Sequence, residues 1–300
     1  RMIRRAGPEH WEPMGDRDQF KAEYWPQQRL KVDDAPRAGE LEGRVAWISG
    51  AASGIGRAIA RRFADEGACM VLTDVDREAL RSVAQGIGAR AVDVACDVTD
   101  PAQVEGSLDR CIELFGGLDV VVSNAGIARP APIEELDLAE WERSFAINST
   151  AHFLVSRAAM RILRRQGLGG SIVFNASKNV LAPGKGFAAY SASKAAENQL
   201  AKVLALEAAE IGVRVNVLHP DAVFHGTRLW TEELRGQRAR AHGIPADQIE
   251  AFYAQRNLLK LPVRPEHVAE AALFFAGDRS SRTTGACLTI DGGIPTAFPR

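Results

Sequence analysis

The sequence is short of cysteine, of long apolar runs and of net charge, and each shortage excludes a class of protein. Its four cysteines lie far apart without a C-x-x-C pair, which argues against a disulfide framework or a metal site and favours reduced thiols in the cytoplasm. No apolar run is long enough to cross a bilayer, and the first residues lack the apolar core of a signal peptide. A formal net charge of −1 provides no basic field for nucleic acid.

The first 40 of the 300 residues differ from the rest. Residues 1–40 are rich in charge, proline and aromatic side chains and show no clear period, so we interpret them as an N-terminal arm or inter-domain linker. The chain begins at Arg1 instead of methionine, which favours a piece of a longer protein or a processed chain. Residues 41–300 are expected to form one domain.

From residue 41 onwards, short apolar runs alternate with segments of helical spacing. Runs such as "VAWIS" and "SIVFN" have no polar face, as expected of parallel strands buried on both sides. The alternation predicts an α/β fold of the Rossmann type, a doubly wound parallel sheet of about seven strands with helices on both faces. A charged stretch at about 221–262 breaks the pattern and is predicted to be a substrate lid.

A glycine-rich loop follows the first predicted strand. In "SGAASGIG", Gly50, Gly54 and Gly56 would let the backbone turn tightly against a pyrophosphate at a helix N-terminus. Asp74 ends the second strand 18 residues after Gly56, where a carboxylate would accept hydrogen bonds from ribose hydroxyls and repel a 2′-phosphate. This predicts NAD over NADP; the alternatives are an ordinary strand-to-helix turn and a solvated aspartate at a strand end.

Three reactive side chains follow the fifth predicted strand. Tyr190 and Lys194 are four residues apart at the start of a long helix, and so share one face. An ammonium group beside a phenol favours the phenolate and lowers the phenol's pKa towards neutral pH. Ser177 lies near the carboxyl end of the strand, where ligands bind in this architecture, and is placed to donate a hydrogen bond to the same substrate oxygen.

Together these motifs resemble those of the short-chain dehydrogenases/reductases over residues 41 to about 293. The resemblance implies a catalytic tetrad of Asn148, Ser177, Tyr190 and Lys194. It also implies cofactor contacts at Gly50, Ser53, Gly54, Ile55, Gly56, Asp74, Asp97, Val98, Asn124, Ala125, Gly126, Tyr190, Lys194 and Pro220. The sequence departs from the family pattern at Ser123, where asparagine is more usual.

The resemblance further implies a mechanism and an assembly. Tyr190 would exchange a proton with the substrate oxygen while hydride passes to or from NAD, and Ser177 would stabilise the oxyanion. Lys194 would lower the tyrosine pKa and hold the nicotinamide ribose. Asn148 would kink the long helix and link Lys194 to solvent through water. The family also suggests a homodimer or homotetramer built through the two long helices.

The variable segments suggest a substrate. "HPDAVFHGTRLW" and the C-terminal "TIDGGIPTAFPR" resemble the dehydrogenase domain at the C-terminus of bifunctional rhamnulose-1-phosphate aldolase/lactaldehyde dehydrogenases. This implies a fused N-terminal aldolase domain and oxidation of lactaldehyde, or a similar short hydroxyaldehyde, in deoxysugar catabolism. Lys178, His225 and Arg228 are candidate contacts to a polar substrate or product carboxylate, or else solvated loop residues.

Two other functions remain open at the level of the sequence. One is reversible dehydrogenation of a sugar, polyol or other secondary alcohol; the other is a nucleotide-binding module without catalysis. The intact tetrad argues against the second.

Overall fold

The computed structural model describes residues 39–298, so the predicted arm lies almost entirely outside the described residues. The strands are β1 (Val45–Ser49), β2 (Cys69–Asp74), β3 (Ala91–Ala95), β4 (Val120–Ser123), β5 (Gly170–Asn175), β6 (Val213–Pro220) and β7 (Cys287–Ile290). The α-helices are α1 (Gly54–Asp65), α2 (Arg77–Ile87), α3 (Pro101–Phe115), α4 (Leu138–Phe145), α5 (Ala151–Gln166), α6 (Ala188–Ala208), α7 (Glu232–His242), α8 (Ile249–Arg256) and α9 (Pro265–Ala276).

The seven strands form one parallel sheet in the order β3-β2-β1-β4-β5-β6-β7. The predicted doubly wound parallel sheet is therefore confirmed. The strand order reverses between β1 and β4, because the chain first builds outwards to β3 and then returns to the other side of β1. Ligands of such sheets bind outside the carboxyl ends of the strands at this reversal.

Apolar clusters cover both faces of the sheet, which explains why the strands read as continuous apolar runs. All five residues of β1 are buried. One cluster joins the sheet to α1 and α9, and the other joins it to α3, α5 and α6. Aspartates begin three of the helices: Asp76, Asp100 and Asp137 each accept hydrogen bonds from backbone amides in the first turn.

Two regions differ from the regular pattern. The long helix predicted at 138–165 is interrupted by a π-helical turn, Ala146–Thr150, between α4 and α5. The segment at 221–262 contains no strand among its residues, all of which are described, but it does contain α7 and α8. These two helices pack on an apolar cluster of their own that includes Phe224, Trp230 and Tyr253.

Within residues 39–298, none of the helices combines the length and apolar character that a bilayer crossing requires.

Candidate active site

The glycine loop lies at the strand-order reversal and leaves no room for side chains. Gly50 and Gly54 have φ values of +64° and +48°, which side chains rarely allow. A Cβ on Gly56 would lie 2.2 Å from the Gly50 carbonyl oxygen. The loop is therefore a bare backbone turn at the N-terminus of α1, as a pyrophosphate site requires.

Two asparagines from neighbouring strands brace this loop. The Asn124 side chain donates to the carbonyl oxygens of Ser49 (2.8 Å) and Gly50 (3.3 Å), and its own oxygen accepts a hydrogen bond from Asn175 Nδ2 at 2.8 Å. The ends of β1, β4 and β5 are thus tied together directly beneath the loop.

Asp74, at the end of β2, is held in a fixed orientation. Its Oδ2 accepts from the Ala52 amide at 3.1 Å, and its Oδ1 accepts from the Asp76 amide at 3.0 Å. Arg228 lies beside this acidic end, where its guanidinium pairs with Asp76 at 2.5 Å. The structure therefore places Arg228 at the acidic end of β2, where it lines the cavity together with Asp74.

One cavity of about 520 Å³ runs from the glycine loop to the reactive side chains. All of the predicted cofactor residues except Gly56 line this cavity. Gly56 contributes indirectly, because it packs against Gly50 where a side chain would not fit. The bare loop, the oriented carboxylate and the continuous cavity fit a dinucleotide laid across the strand reversal.

Ser177, Tyr190 and Lys194 share the other end of this cavity. Lys194 is buried on α6, and its Nζ donates to the Asn175 carbonyl oxygen and to Glu197 Oε2, both at 2.8 Å. Ser177 precedes a short 3₁₀ turn, and its Oγ accepts a hydrogen bond from the Asn179 amide at 3.1 Å. The half-buried Tyr190 ring lies edge-on to Phe187.

Asn148 sits in the π-helical turn and joins it to the tetrad. Its Oδ1 accepts from the Ile127 amide at 2.8 Å, and its Nδ2 donates to the Ile127 carbonyl oxygen and to Ser193 Oγ. A Cβ on Gly126 would lie 3.2 Å from Asn148 Oδ1 and 3.4 Å from Lys194 Nζ, so both side chains lie close to Gly126. Single π turns are frequent at functional sites, and this one turns Asn148 inwards.

The predicted substrate residues separate in space. Lys178 lines the cavity and is buried; its Nζ donates to the Ala182 carbonyl oxygen at 3.0 Å and lies 3.8 Å from Asp221 Oδ1. His225 is exposed and does not line the cavity. Arg256, which sequence reasoning missed, lies 3.6 Å from Asp221 Oδ2 and completes a charged group with Lys178.

Aromatic side chains from the lid form the wall beside this charged group. Trp230 stacks on Phe224 at 4.0 Å between ring centroids, and both rings meet Tyr253 edge-on. The lid also closes on the glycine loop, since the Gly54 amide donates to the Gly226 carbonyl oxygen at 2.8 Å. The predicted lid segment thus contacts both ends of the cavity.

A second group that sequence reasoning missed lies behind Lys194. Glu197 and His152 are fully buried, with His152 Nδ1 3.4 Å from Glu197 Oε1 and 2.7 Å from Ser123 Oγ. The sequence offered one indication of this group: Glu197 is an acidic residue one helical turn after Lys194, on the face of α6 that is buried. The unusual Ser123 was another.

The cysteines are not placed for nucleophilic catalysis. Cys96 is the one cysteine among the cavity residues, and it directly precedes Asp97, one of the predicted cofactor contacts. Burial raises the pKa of its thiol to about 11, so the reactive thiolate is scarce at neutral pH. The described part of the chain also holds no group of three or more His, Cys, Asp or Glu side chains placed to bind a metal ion.

Comparison with known proteins shows related oxidoreductases. Residues 50–295 match a family described as enoyl-(acyl carrier protein) reductase. The chain is 41% identical to the uncharacterized oxidoreductase YuxG of Bacillus subtilis, over 95% of this chain but only 42% of that protein. The chain therefore spans less than half the length of this relative.

Two shorter relatives are matched over nearly their whole length. Cis-4-hydroxycyclohexanecarboxylate dehydrogenase of Sinomonas cyclohexanicum is 40% identical, over 83% of this chain and 96% of the relative. D-threitol dehydrogenase of Mycolicibacterium smegmatis is 37% identical, over 89% of this chain and 97% of the relative.

A solved structure has the same fold. The 3-ketoacyl-(acyl-carrier-protein) reductase of Brucella melitensis, complexed with NADH, superimposes with a TM-score of 0.76 at 30% identity. The match covers 84% of this chain and 98% of that one.

Proposed function

This chain belongs to the short-chain dehydrogenase/reductase family of oxidoreductases, and from that premise we propose that it interconverts a secondary alcohol of a small polar substrate, such as a sugar or polyol, with the corresponding ketone, using NAD. The observation that carries the proposal is the meeting of Ser177, Tyr190 and Lys194 in the cavity that begins at the glycine loop. The relatives that act on hydroxyl groups support this substrate class over an aldehyde.

Tyr190 is the acid–base group of the proposed reaction. In alcohol oxidation it takes the proton of the substrate hydroxyl, and Ser177 donates a hydrogen bond to the same oxygen. The bound nicotinamide supplies the acceptor or donor of the hydride. In ketone reduction Tyr190 returns the proton to the carbonyl oxygen.

Lys194 supplies the positive charge that favours the phenolate of Tyr190. Its ammonium group is fixed by the Asn175 carbonyl and Glu197, so it remains one helical turn from the tyrosine. The side chain of Asn148 holds the backbone of Ile127 beside Lys194. We assign Asn148 the link from Lys194 to solvent through water, as in the family.

Asp74 supports the choice of NAD. Because both of its carboxylate oxygens accept backbone amides, it cannot turn away from a nucleotide ribose at the end of β2. A 2′-phosphate placed there would meet the charge of Asp74, whereas the charge of Asp76 is paired with Arg228.

The charged group around Lys178 supports a polar substrate. Lys178 and Arg256 both lie within 4 Å of the Asp221 carboxylate. The charges of Asp291 and Arg238 also act on Lys178, so several charged side chains gather beside the aromatic wall. Burial lowers the pKa of Lys178 and raises that of Asp221. Such a surface favours hydroxyl or carboxylate groups over a purely apolar substrate.

The test measures NADH formation by the purified chain with three alcohols, namely D-threitol, cis-4-hydroxycyclohexanecarboxylate and 1,2-propanediol. The aldehyde L-lactaldehyde is assayed in parallel for comparison. The proposal predicts a kcat/KM for an alcohol at least tenfold above that for the aldehyde. The product should be a ketone, identified by mass spectrometry. Turnover of the aldehyde to lactate, with none of any alcohol, would contradict it.

The second candidate is oxidation of lactaldehyde, which rests on the resemblance of "HPDAVFHGTRLW" and the C-terminal segment. The length of YuxG, more than twice that of this chain, is compatible with a fused arrangement. Without a suitable cysteine, oxidation would begin from the aldehyde hydrate, with Tyr190 acting on a gem-diol hydroxyl. Lactate formation in the same assay distinguishes this reaction from alcohol oxidation.

A further inference from the structure

A buried carboxylate lies directly behind the lysine of the tetrad. Glu197 is wholly inaccessible to solvent, and its Oε2 accepts a hydrogen bond from Lys194 Nζ at 2.8 Å. An isolated charge in such a place is costly, and the partner that offsets the cost is the ammonium of Lys194. Glu197 therefore belongs to the electrostatics of the tetrad although it does not line the cavity.

The second oxygen of Glu197 faces a histidine without forming a hydrogen bond. His152 Nε2 lies 3.2 Å from the Ala125 carbonyl oxygen, which can only accept, so we assign the ring proton to Nε2. Nδ1 is then an acceptor, and the Ser123 hydroxyl donates a hydrogen bond to it. Burial lowers the pKa of His152 well below its usual value, so the ring is neutral.

This arrangement leaves Glu197 Oε1 facing the lone pair of His152 Nδ1. The oxygen has no hydrogen-bond partner, and it lies 3.4 Å from Nδ1. Burial raises the pKa of Glu197 to about 7. Above that pH the side chain carries a full negative charge, and the Nδ1 lone pair beside it already accepts the hydrogen bond of Ser123.

We propose that Glu197 is a positioning residue for Lys194, and that its negative charge weakens the pull of Lys194 on the Tyr190 proton. The first half follows from the hydrogen bond, which together with the Asn175 carbonyl fixes the ammonium. The second follows because an ionised Lys194–Glu197 pair has no net charge, whereas Lys194 alone would stabilise a phenolate. The proposal rests on the proposed role of Tyr190.

The other charged groups around this pair do not carry the effect. His152, from α5, is neutral, and Ser123, at the end of β4, does not titrate in this range. His219 of β6 lies near Lys194, but burial lowers its pKa to about 4, so it too is neutral above that pH. Lys202 also acts on His219 through its charge, but it is the same in wild type and in the Glu197 variants, so the change in local charge is that of Glu197 itself.

The direct test is the titration of Tyr190 in the free protein. The chain has three tyrosines, so the tyrosinate spectrum of Tyr190 follows by subtracting that of Tyr190→Phe. Glu197→Gln removes the charge but keeps an acceptor for Lys194. Seven residues along a helix span about 10 Å, and we expect the Tyr190 midpoint to fall by about one pH unit.

Glu197→Met fills the site without offering a hydrogen-bond acceptor. It should lower the Tyr190 midpoint by the same amount. It should also lower kcat about tenfold, because Lys194 loses its hydrogen bond to residue 197. Glu207→Gln is the matched control: it makes the same charge change on an exposed part of α6 and should leave the midpoint unchanged. A Tyr190 midpoint that is unmoved or raised in the folded Glu197 variants would overturn the proposal. Because the titration needs no substrate, this result is distinguishable from failure of the proposed reaction.

Discussion

At the scale of the residue, we propose that Asp74 determines the choice between the two nicotinamide cofactors. We expect Asp74→Asn to lower kcat/KM with NAD about tenfold or more, since a charge-assisted contact to the ribose becomes a neutral one. The value with NADP should rise, because the repulsion of a 2′-phosphate is reduced. The measurement is the ratio of kcat/KM for the two cofactors.

Glu78→Gln is the control for this change, because Glu78 is an exposed acid in the first turn of α2 outside the cavity. It should leave the cofactor ratio unchanged. An Asp74→Asn protein that prefers NAD as strongly as the wild type would contradict the role of Asp74.

Glu197 also predicts how stability depends on pH. Its pKa is raised from 4.5 to about 7 in the folded state, so between these values the folded chain binds more protons than the unfolded chain. Stability is therefore lost as pH rises through this window. The lost free energy is on the order of 3 kcal/mol.

The matching measurement is urea unfolding of wild type and Glu197→Gln at pH 5 and pH 8. The variant lacks this titration, so its free energy of unfolding relative to wild type should increase towards pH 8. A difference that is constant with pH would show that Glu197 keeps an ordinary pKa.

At the scale of the element, much of the fold could be predicted because buried parallel strands are continuous apolar runs bounded by glycine or polar residues. β1 stops at the first glycine of the loop, and α3 begins at Asp100 and Pro101 as expected. Helical spacing alone did not predict the π turn at 146–150, because its residues have ordinary helical spacing; the family resemblance implied a kink at Asn148. What marks it is the hydrogen bonding of Asn148, which needs the fold.

In the site, too, residues on one helix could be paired from the sequence, whereas residues with distant partners could not be placed. Tyr190 and Lys194 could be paired from sequence because one helix sets their spacing. Arg228 could not be placed, since its ion pair with Asp76 joins segments about 150 residues apart. The same holds for Arg256 and His152, whose partners lie on other elements. His225 was assigned from its segment alone, and the structure leaves it exposed outside the cavity.

The lid makes a prediction of its own. Trp230 is central to the aromatic cluster that holds α7 and α8 against the cavity, and removing a buried tryptophan costs about 3–5 kcal/mol. Trp230→Ala should raise KM for the alcohol at least tenfold and leave the Kd of NADH within threefold, because the glycine loop is untouched.

The control for the lid is Trp141→Ala on α4, where the tryptophan packs on Phe145 outside the cavity. It should change neither constant. A Trp230→Ala protein with an unchanged KM would show that the lid does not shape the substrate end.

At the scale of the whole molecule, we propose a homodimer or homotetramer built through α5 and α6. Large apolar side chains are exposed on these helices, with Leu206 80%, Val203 45% and Phe153 44% accessible. Light scattering should give two or four times the mass of one 32.4 kDa chain. The double variant Leu206→Asp/Phe153→Asp should give the mass of the monomer. The control Ile133→Asp, at an exposed site outside α5 and α6, should keep the mass of the oligomer.

The central claim is that this chain is a dehydrogenase whose chemistry depends on Tyr190. The most direct measurement compares NADH formation from the best alcohol by wild type and Tyr190→Phe, with NADH affinity measured for both proteins. We expect the variant to lose at least a thousandfold in kcat/KM and to bind NADH within threefold of wild type. Undiminished turnover in a folded Tyr190→Phe protein would contradict it.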